Sequence, residues 1–169
     1  MWNDTDIPLA YFISFRCYGT WLHGDERGSI DRHNNTYGAP KIPPNDHWQS
    51  ISATRLRHQP VALDAARRLL VENAVRETCE KRGWSLLAIN IRTNHAHTVV
   101  ATGGKSSKQA LVAFKANATR AMREAGTWNF EYSPWSEKGS RRSLWNEQSI
   151  AITIDYVLNG QGGDLPPFD

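Results

Sequence analysis

The fold of this 169-residue chain is decided by residues 84–101, whose sequence is WSLLAINIRTNHAHTVVA. Two runs rich in apolar residues, Trp84–Ile91 and His95–Ala101, flank a short polar connection. Such a pattern predicts an antiparallel β-hairpin. Because side chains alternate along a strand, His95 and His97 project from the same face of this hairpin. Two imidazoles that project together can bind one metal ion.

The segments around the hairpin predict further strands and helices, from their periodicity and their Gly, Asp and Asn punctuation. They are a strand at Tyr11–Tyr18, a helix at Leu63–Arg82, a helix at Ser107–Ala125, a short strand at Ser140–Trp145 and a last helix at Asn146–Asn159. This order predicts an α+β protein with a ferredoxin-like βαββαβ antiparallel sheet and its helices on one face. The other face is left for a site, to which the extra C-terminal helix, which bears Tyr156, can contribute a residue.

Length and composition predict one domain over residues 1–169, with a long loop at about 24–50 that is rich in Gly, Pro, Asn and Asp. The two cysteines, Cys17 and Cys79, are too few for a disulfide scaffold. No apolar run approaches the ~18 residues of a membrane span, and the acidic N-terminus is not a signal peptide. We therefore expect a cytoplasmic protein with no membrane partner.

Positive charge is concentrated in the middle of the chain. The whole chain carries a formal charge of +3, whereas residues 51–126 alone contain thirteen Lys and Arg against five Asp and Glu. A surface that binds a phosphate backbone has this charge pattern. A solvated helix face gives the same pattern and is the commoner cause, so both interpretations stay open.

Tyr156 is the second candidate for chemistry, because it is the one tyrosine of the last predicted helix. A metal that binds a phosphate makes it susceptible to attack by a hydroxyl group, so a His pair and a tyrosine suggest chemistry on phosphodiesters. The alternative interpretation is structural. In that case Tyr156 packs its ring on the sheet, and the histidines are polar groups with satisfied hydrogen bonds.

The run Thr93–Val100 resembles the HUH motif of the single-tyrosine HUH transposases, which include small insertion-sequence transposases and the REP-associated tyrosine transposases. That motif is His, a bulky apolar residue and His on a strand; here the middle residue is the smaller Ala96. Asn94 matches an asparagine often found before the pair. The stretch Leu144–Asn159 resembles the closing part of the family, where a strand precedes the tyrosine helix. The similarity extends over about residues 8–163.

The resemblance implies that His95 and His97 are metal ligands and that Tyr156 is the nucleophile. It also implies a third, polar ligand about one helical turn after the tyrosine. Gly160 occupies that position and has no side chain, so the neighbouring Gln161 is the predicted third ligand. Two neutral imidazoles and an amide oxygen suit Mg²⁺ or Mn²⁺, with Mn²⁺ favoured by the histidines.

The implied function is metal-dependent nicking and rejoining of single-stranded DNA by a transposase, through a covalent 5′-phosphotyrosine intermediate. The implied partner is single-stranded DNA beside a hairpin. A homodimer is compatible with the resemblance, since the tyrosine of such enzymes serves its own subunit or a partner. The candidates for contact with the DNA backbone are Lys105, Lys108, Lys115, Arg120, Arg123, Arg141 and Arg142.

Two other functions stay open at the level of sequence. One is a non-catalytic ferredoxin-like nucleic-acid-binding module, in which binding needs no metal and survives Tyr156→Phe. His95 and His97 stand where such a sheet would place stacking rings, which counts against it. The other is a small metallohydrolase whose His pair activates water. No clear carboxylate partner accompanies the pair, and Tyr156 would then have no role.

Overall fold

A computed structural model describes residues 6–20 and 57–166 of the chain. The loop predicted at about 24–50 lies outside these residues. In chain order the elements are β1 (Ala10–Cys17), α1 (Ala65–Arg82), β2 (Ser85–Ile91), β3 (His95–Ala101), α2 (Ser107–Glu124), β4 (Trp135–Leu144) and α3 (Glu147–Asn159). None of the helices within the two described ranges is both long enough and apolar enough to span a membrane.

The four strands found in this part of the chain form one antiparallel sheet in the order β2-β3-β1-β4. This order and the βαββαβ succession are those of the ferredoxin-like fold, so the predicted fold class is confirmed. β3 lies inside the sheet between β2 and β1. His97 is paired with Ser14 of β1 on one side and with Asn90 of β2 on the other.

Local sequence fixes the ends of the helices. The Asp64 side chain caps α1, and Gly83 ends that helix in the left-handed conformation at φ 71°. Ser106 and Gln109 form a capping box at the start of α2, which satisfies two backbone donors reciprocally. The Asn146 side chain caps α3. The predicted starts of all three helices are therefore close to the observed ones.

The two faces of the sheet carry different layers. α1 and α2 cover one face, where the main core forms around residues such as Phe15 and Phe114. α3 packs on the opposite face, where its Val157 joins Phe12 and Val99 in a second cluster. Alternation along β3 puts His95 and His97 on the same face as Val99, which is the face that α3 covers in part. The extra C-terminal helix thus lies beside the histidine pair.

β4 is longer than predicted. It begins at Trp135, whereas the sequence predicts a short strand from Ser140. Its first half, Trp135–Gly139, is largely polar because β4 is an edge strand of the described sheet and only one of its sides is paired. A register shift against β1 between Phe15 and Cys17 further disturbs the alternation. The period-two signal that reveals a strand is therefore absent there.

Candidate active site

β3 places the two histidine rings side by side under the edge of α3. The ring centroids of His95 and His97 are 4.7 Å apart, and their planes meet at 67°. His97 is only 5% exposed, whereas His95, at the start of the strand, is half-buried. The pair is thus partly shielded from water and partly open at the end of the sheet.

Each ring is oriented through its Nδ1 atom. The Asn94 Oδ1 atom lies 2.8 Å from His95 Nδ1, and this amide oxygen can accept a hydrogen bond from the tautomer of His95 that is protonated at Nδ1. Ser14 Oγ, on the neighbouring strand, lies 2.5 Å from His97 Nδ1. In metal sites the non-ligating nitrogen of histidine is usually anchored in this way. The anchors leave Nε2 as the nitrogen that each ring can offer to a ligand.

Gln161 approaches His95 from the turn that follows α3. Its Oε1 atom lies 3.4 Å from His95 Nε2, and its amide nitrogen donates to the Tyr156 carbonyl oxygen at 3.3 Å. The second contact turns the amide oxygen toward the ring. In the tautomer protonated at Nδ1, Nε2 presents a lone pair to this oxygen, and a cation between the two atoms makes the contact favourable.

The donor set fits a divalent metal ion. Ligand atoms about 2.1 Å from an ion in octahedral geometry are about 3 Å apart, which is near the observed 3.4 Å. Imidazole nitrogen and amide oxygen together suit Mn²⁺, and Mg²⁺ less well. Among residues 6–20 and 57–166, no three His, Cys, Asp or Glu side chains gather as metal ligands. His95, His97 and Gln161 are therefore the candidate set.

α3 holds Tyr156 beside these residues. The centroid of its ring lies 5.9 Å from that of His97 and 6.0 Å from that of Phe12, to which it is edge-on. The Asn90 side chain donates to the Val157 carbonyl oxygen at 2.9 Å and ties the helix to β2. Tyr156 is nevertheless 40% exposed. Its ring is fixed against the sheet, and much of its surface can meet a ligand.

Gly160 has no side chain, and it is the following residue, Gln161, that reaches His95. The Gly160 amide donates to the Tyr156 carbonyl oxygen at 2.9 Å as the helix ends. A Cβ atom at position 160 would lie 2.9 Å from Tyr156 Cδ2 and 2.7 Å from that carbonyl oxygen. Only glycine fits against the tyrosine ring without displacing it. The chain then turns and brings Gln161 toward β3.

Two arginines hold the segment that follows Gln161. Arg92 Nη2 donates to the Gly163 carbonyl oxygen at 3.0 Å, and Arg68 Nη2 donates to that of Pro166 at 2.6 Å. Arg68 is 8% exposed, so its contacts are inside the fold. These contacts join positions 71 and 98 residues apart, and no local pattern in the sequence reveals them. They keep the turn that carries Gln161 against the end of the sheet.

Two transposase structures are among the solved structures to which this chain is similar. One is a REP-associated tyrosine transposase bound to a REP hairpin, with 9% identity, a TM-score of 0.48, and coverage of 93% of this chain and 69% of that chain. The other is a candidate transposase from Deinococcus radiodurans R1, with 14% identity, a TM-score of 0.45, and coverage of 95% and 97%. No protein-family model and no curated protein matches the chain.

The structure brings together the four predicted chemical residues, which are His95, His97, Tyr156 and Gln161, but it distributes the basic residues over both faces. Arg142 lies on the histidine face of β4, where it is paired with Phe12. Arg141 points to the helix layer and donates to Ser107 Oγ at 3.2 Å. The others belong to α2, which packs on the face opposite the histidines, or to the turn before it: Lys105, Lys108, Lys115, Arg120 and Arg123.

Two of these basic side chains donate to backbone carbonyl oxygens of neighbouring segments. Lys115 Nζ donates to the carbonyl oxygens of Ser136 and Lys138 at 2.7 and 3.1 Å, where it supports the irregular part of β4. Burial, and then the charge of Arg16, lower the pKa of Lys115. Arg123 Nη1 donates to the Phe130 carbonyl oxygen at 2.6 Å. Lys105, Lys108 and Arg120 are exposed.

Proposed function

We propose that this chain is a transposase that nicks and rejoins single-stranded DNA, with Tyr156 as nucleophile and Mg²⁺ or Mn²⁺ held by His95, His97 and Gln161. The observation that carries the proposal is the 3.4 Å distance between His95 Nε2 and Gln161 Oε1. Gln161 lies in the turn that directly follows the helix that holds Tyr156. The sequence resemblance likewise implies that His95, His97 and Gln161 are metal ligands and that Tyr156 is the nucleophile. It also supplies the substrate class, single-stranded DNA beside a hairpin.

In the proposed reaction the Tyr156 oxygen attacks the scissile phosphorus in line. A new bond joins phosphorus to the tyrosine oxygen, and the bond to the 3′-oxygen of the preceding nucleotide breaks. The tyrosine proton goes to solvent, and the leaving oxygen takes up a proton to become a 3′-hydroxyl. The bound ion would supply Lewis-acid stabilisation of the charge on the phosphate oxygens. Attack by another 3′-hydroxyl on the phosphotyrosine reverses these bond changes and rejoins the strand.

The chain's own residues position the reacting groups in this scheme. Ser14 and Asn94 orient the two imidazoles, and the contact between Gln161 and the Tyr156 carbonyl links the third ligand to the nucleophile. The ring of Tyr156 rests on Phe12 and His97, which limits its motion. Positioning of this kind reduces the entropy that the attack must lose.

A covalent-adduct assay tests the proposal. The protein is incubated with a 3′-labelled hairpin oligonucleotide that has a single-stranded flank, in Mn²⁺ or in EDTA, and resolved by SDS electrophoresis. We expect a labelled protein band in Mn²⁺ only. Tyr156→Phe should remove the band, and Tyr11→Phe, a buried tyrosine of the other face, should retain it.

The same assay separates the alternatives. If the oligonucleotide is cleaved with no covalent adduct, and Tyr156→Phe still cleaves it, the protein is a metallohydrolase with water as nucleophile. Hairpin binding without cleavage in any metal would identify a binding module. Cleavage unchanged in the double variant His95→Ala, His97→Ala would overturn the metal site. An adduct restored by mixing Tyr156→Phe with His95→Ala would show that the tyrosine acts on a partner's histidines in a homodimer.

A further inference from the structure

Three rings form a stack at the end of the sheet, outside the site just described. The rings of His58 and Tyr132 are parallel, at 3° and with centroids 3.7 Å apart. The ring of Phe130 lies 5.2 Å from that of Tyr132 at 28°. Tyr132 thus stacks with both of the other rings. We call His58, Tyr132 and Phe130 the aromatic column.

The column is rigid in its middle and open at its ends. Trp128 is 3% exposed, its ring packs edge-on against Phe130 and Tyr132, and its indole nitrogen donates to the Tyr132 carbonyl oxygen at 2.9 Å. Tyr18 Oη accepts from the backbone amide of His58 at 3.4 Å. Tyr132 is half-buried, whereas His58 is exposed and Phe130 is 52% exposed. The stack therefore ends in an exposed phenyl ring, which offers a flat apolar surface to a ligand.

The column lies at the same end of the sheet as His95. The Cys17 amide, at the end of β1, donates to the carbonyl oxygen of Asn94 at 2.8 Å. The next residue, Tyr18, donates its amide to the Pro134 carbonyl oxygen at 2.8 Å and packs its ring 6.1 Å from Tyr132. The column belongs to the cluster on the helix side of the sheet, so a polymer that passes the histidine pair must round this end of the sheet to reach it.

Positive charge borders the column. Arg123 donates to the Phe130 carbonyl oxygen at 2.6 Å, and the Arg67 guanidinium lies 5.9 Å from the centre of the Trp128 ring. One acidic residue, Glu131, lies between Phe130 and Tyr132 in the sequence. Exposed flat rings beside guanidinium groups suit a ligand that is both aromatic and anionic, which describes a nucleotide unit of a single strand.

We propose that the aromatic column binds one unpaired base of single-stranded DNA by stacking on the exposed face of Phe130. This inference rests on the proposed function for the class of polymer, and it adds a second contact point on that polymer. Stacking on phenyl rings does not depend on which base is present, because every base has a flat π surface. The column would therefore fix the position of the strand relative to Tyr156 without reading its sequence.

Fluorescence anisotropy with labelled oligothymidylate tests the proposal. The measurements are made in EDTA and in the Tyr156→Phe background, so that no strand is cut. The same protein is titrated with an oligomer of equal length that carries abasic sites in place of thymines. We expect Phe130→Leu to weaken binding of oligothymidylate about tenfold while binding of the abasic oligomer changes by less than about twofold.

Two further variants serve as controls. Phe130→Trp keeps a ring and should retain the preference for thymine over the abasic oligomer. Leu69→Ala removes an exposed apolar side chain of α1, 60% exposed, and should change neither titration. An unaltered preference in Phe130→Leu overturns the stacking site, as does equal binding of both oligomers by the starting protein. The proposed function fails separately, by lack of a covalent adduct in the wild-type chain.

Discussion

Gln161 links the end of α3 to β3 through a single amide, and its loss tests the proposed metal site at the scale of one residue. Its oxygen faces His95, and its nitrogen holds the Tyr156 carbonyl. We expect Gln161→Ala to weaken Mn²⁺ binding by about 10- to 100-fold, because two imidazoles alone would have to retain the ion. Titration of Mn²⁺ by electron paramagnetic resonance measures the free ion directly and does not need DNA.

Asn159 provides the matched control for this prediction. It is also an amide near the end of α3, but its side chain donates to Asp155 at 2.8 Å on the exposed side of the helix. Asn159→Ala should therefore leave Mn²⁺ binding unchanged. Equal losses in Asn159→Ala and Gln161→Ala would mean that the end of α3 matters only as structure, and would contradict a ligand role for Gln161.

The histidine pair can be predicted from sequence because it depends on strand alternation alone. Two residues apart on β3, His95 and His97 must share a face. The third position could not be derived in that way. It depends on where α3 ends, on the close approach of Gly160 to the Tyr156 ring, and on arginines that hold the following turn from distant elements. The arginine contacts are tertiary, and neighbouring residues in the sequence do not encode them.

Between elements, the contact of α2 with β4 depends on Gly139. This residue is paired with Phe15 and lies under Leu111 of α2. A Cβ atom at this position would lie 2.7 Å from the Ser14 carbonyl oxygen and 2.9 Å from Leu111 Cδ1. We expect Gly139→Ala to lower the free energy of unfolding by about 1–3 kcal/mol, because the added Cβ atom meets the Ser14 carbonyl oxygen and Leu111, so that β4 must shift relative to β1 and α2. Urea denaturation followed by circular dichroism gives this difference.

Ser140 is the control for that measurement, since it neighbours Gly139 on the same strand and is exposed. Ser140→Ala should change the free energy of unfolding by less than about 0.5 kcal/mol. A loss as large as that of Gly139→Ala would show that β4 tolerates no substitution, and that the approach of Leu111 is not the cause.

The elements differ in how far sequence reveals them. The helices could be placed because their caps are local: Asp64 and Asn146 each accept from backbone amides within their own first turn. The hairpin β2–β3 could be placed because both strands are apolar. The start of β4 could not be predicted, because its first half is largely polar and lacks the alternation of a strand. That half is supported by Lys115 of α2, a contact that the local sequence does not reveal.

At the scale of the whole molecule, the order of elements predicts the sheet. It does not predict that the basic residues of α2 lie on the sheet face opposite the histidines. α2 follows the histidine strand directly in sequence, yet it packs on the other face of the sheet. A strand of DNA that contacts both α2 and Tyr156 must therefore pass around the molecule. This follows from the crossover connection between β3 and β4, which carries α2 to the face of α1.

The salt dependence of the proposed DNA binding tests which basic residues contact the phosphate backbone. Lys108 is exposed on α2, whereas the Lys115 ammonium group is occupied by two carbonyl oxygens of β4. For single strands, each phosphate contact contributes about 0.7 to the slope of log K against log salt concentration. Lys108→Ala should reduce that slope by about 0.7, and addition of Arg120→Ala should reduce it by about the same amount again.

Lys115→Met removes the same formal charge as Lys108→Ala from the same helix, and its effect should differ in kind. The slope should stay unchanged, because this lysine is committed to the carbonyl oxygens of Ser136 and Lys138 and has no phosphate contact to lose. The protein should instead become less stable, since two carbonyl oxygens lose their donor. Equal slopes in all variants would mean that α2 is a solvated face, and the DNA would then be held by the histidine face and the end of the sheet.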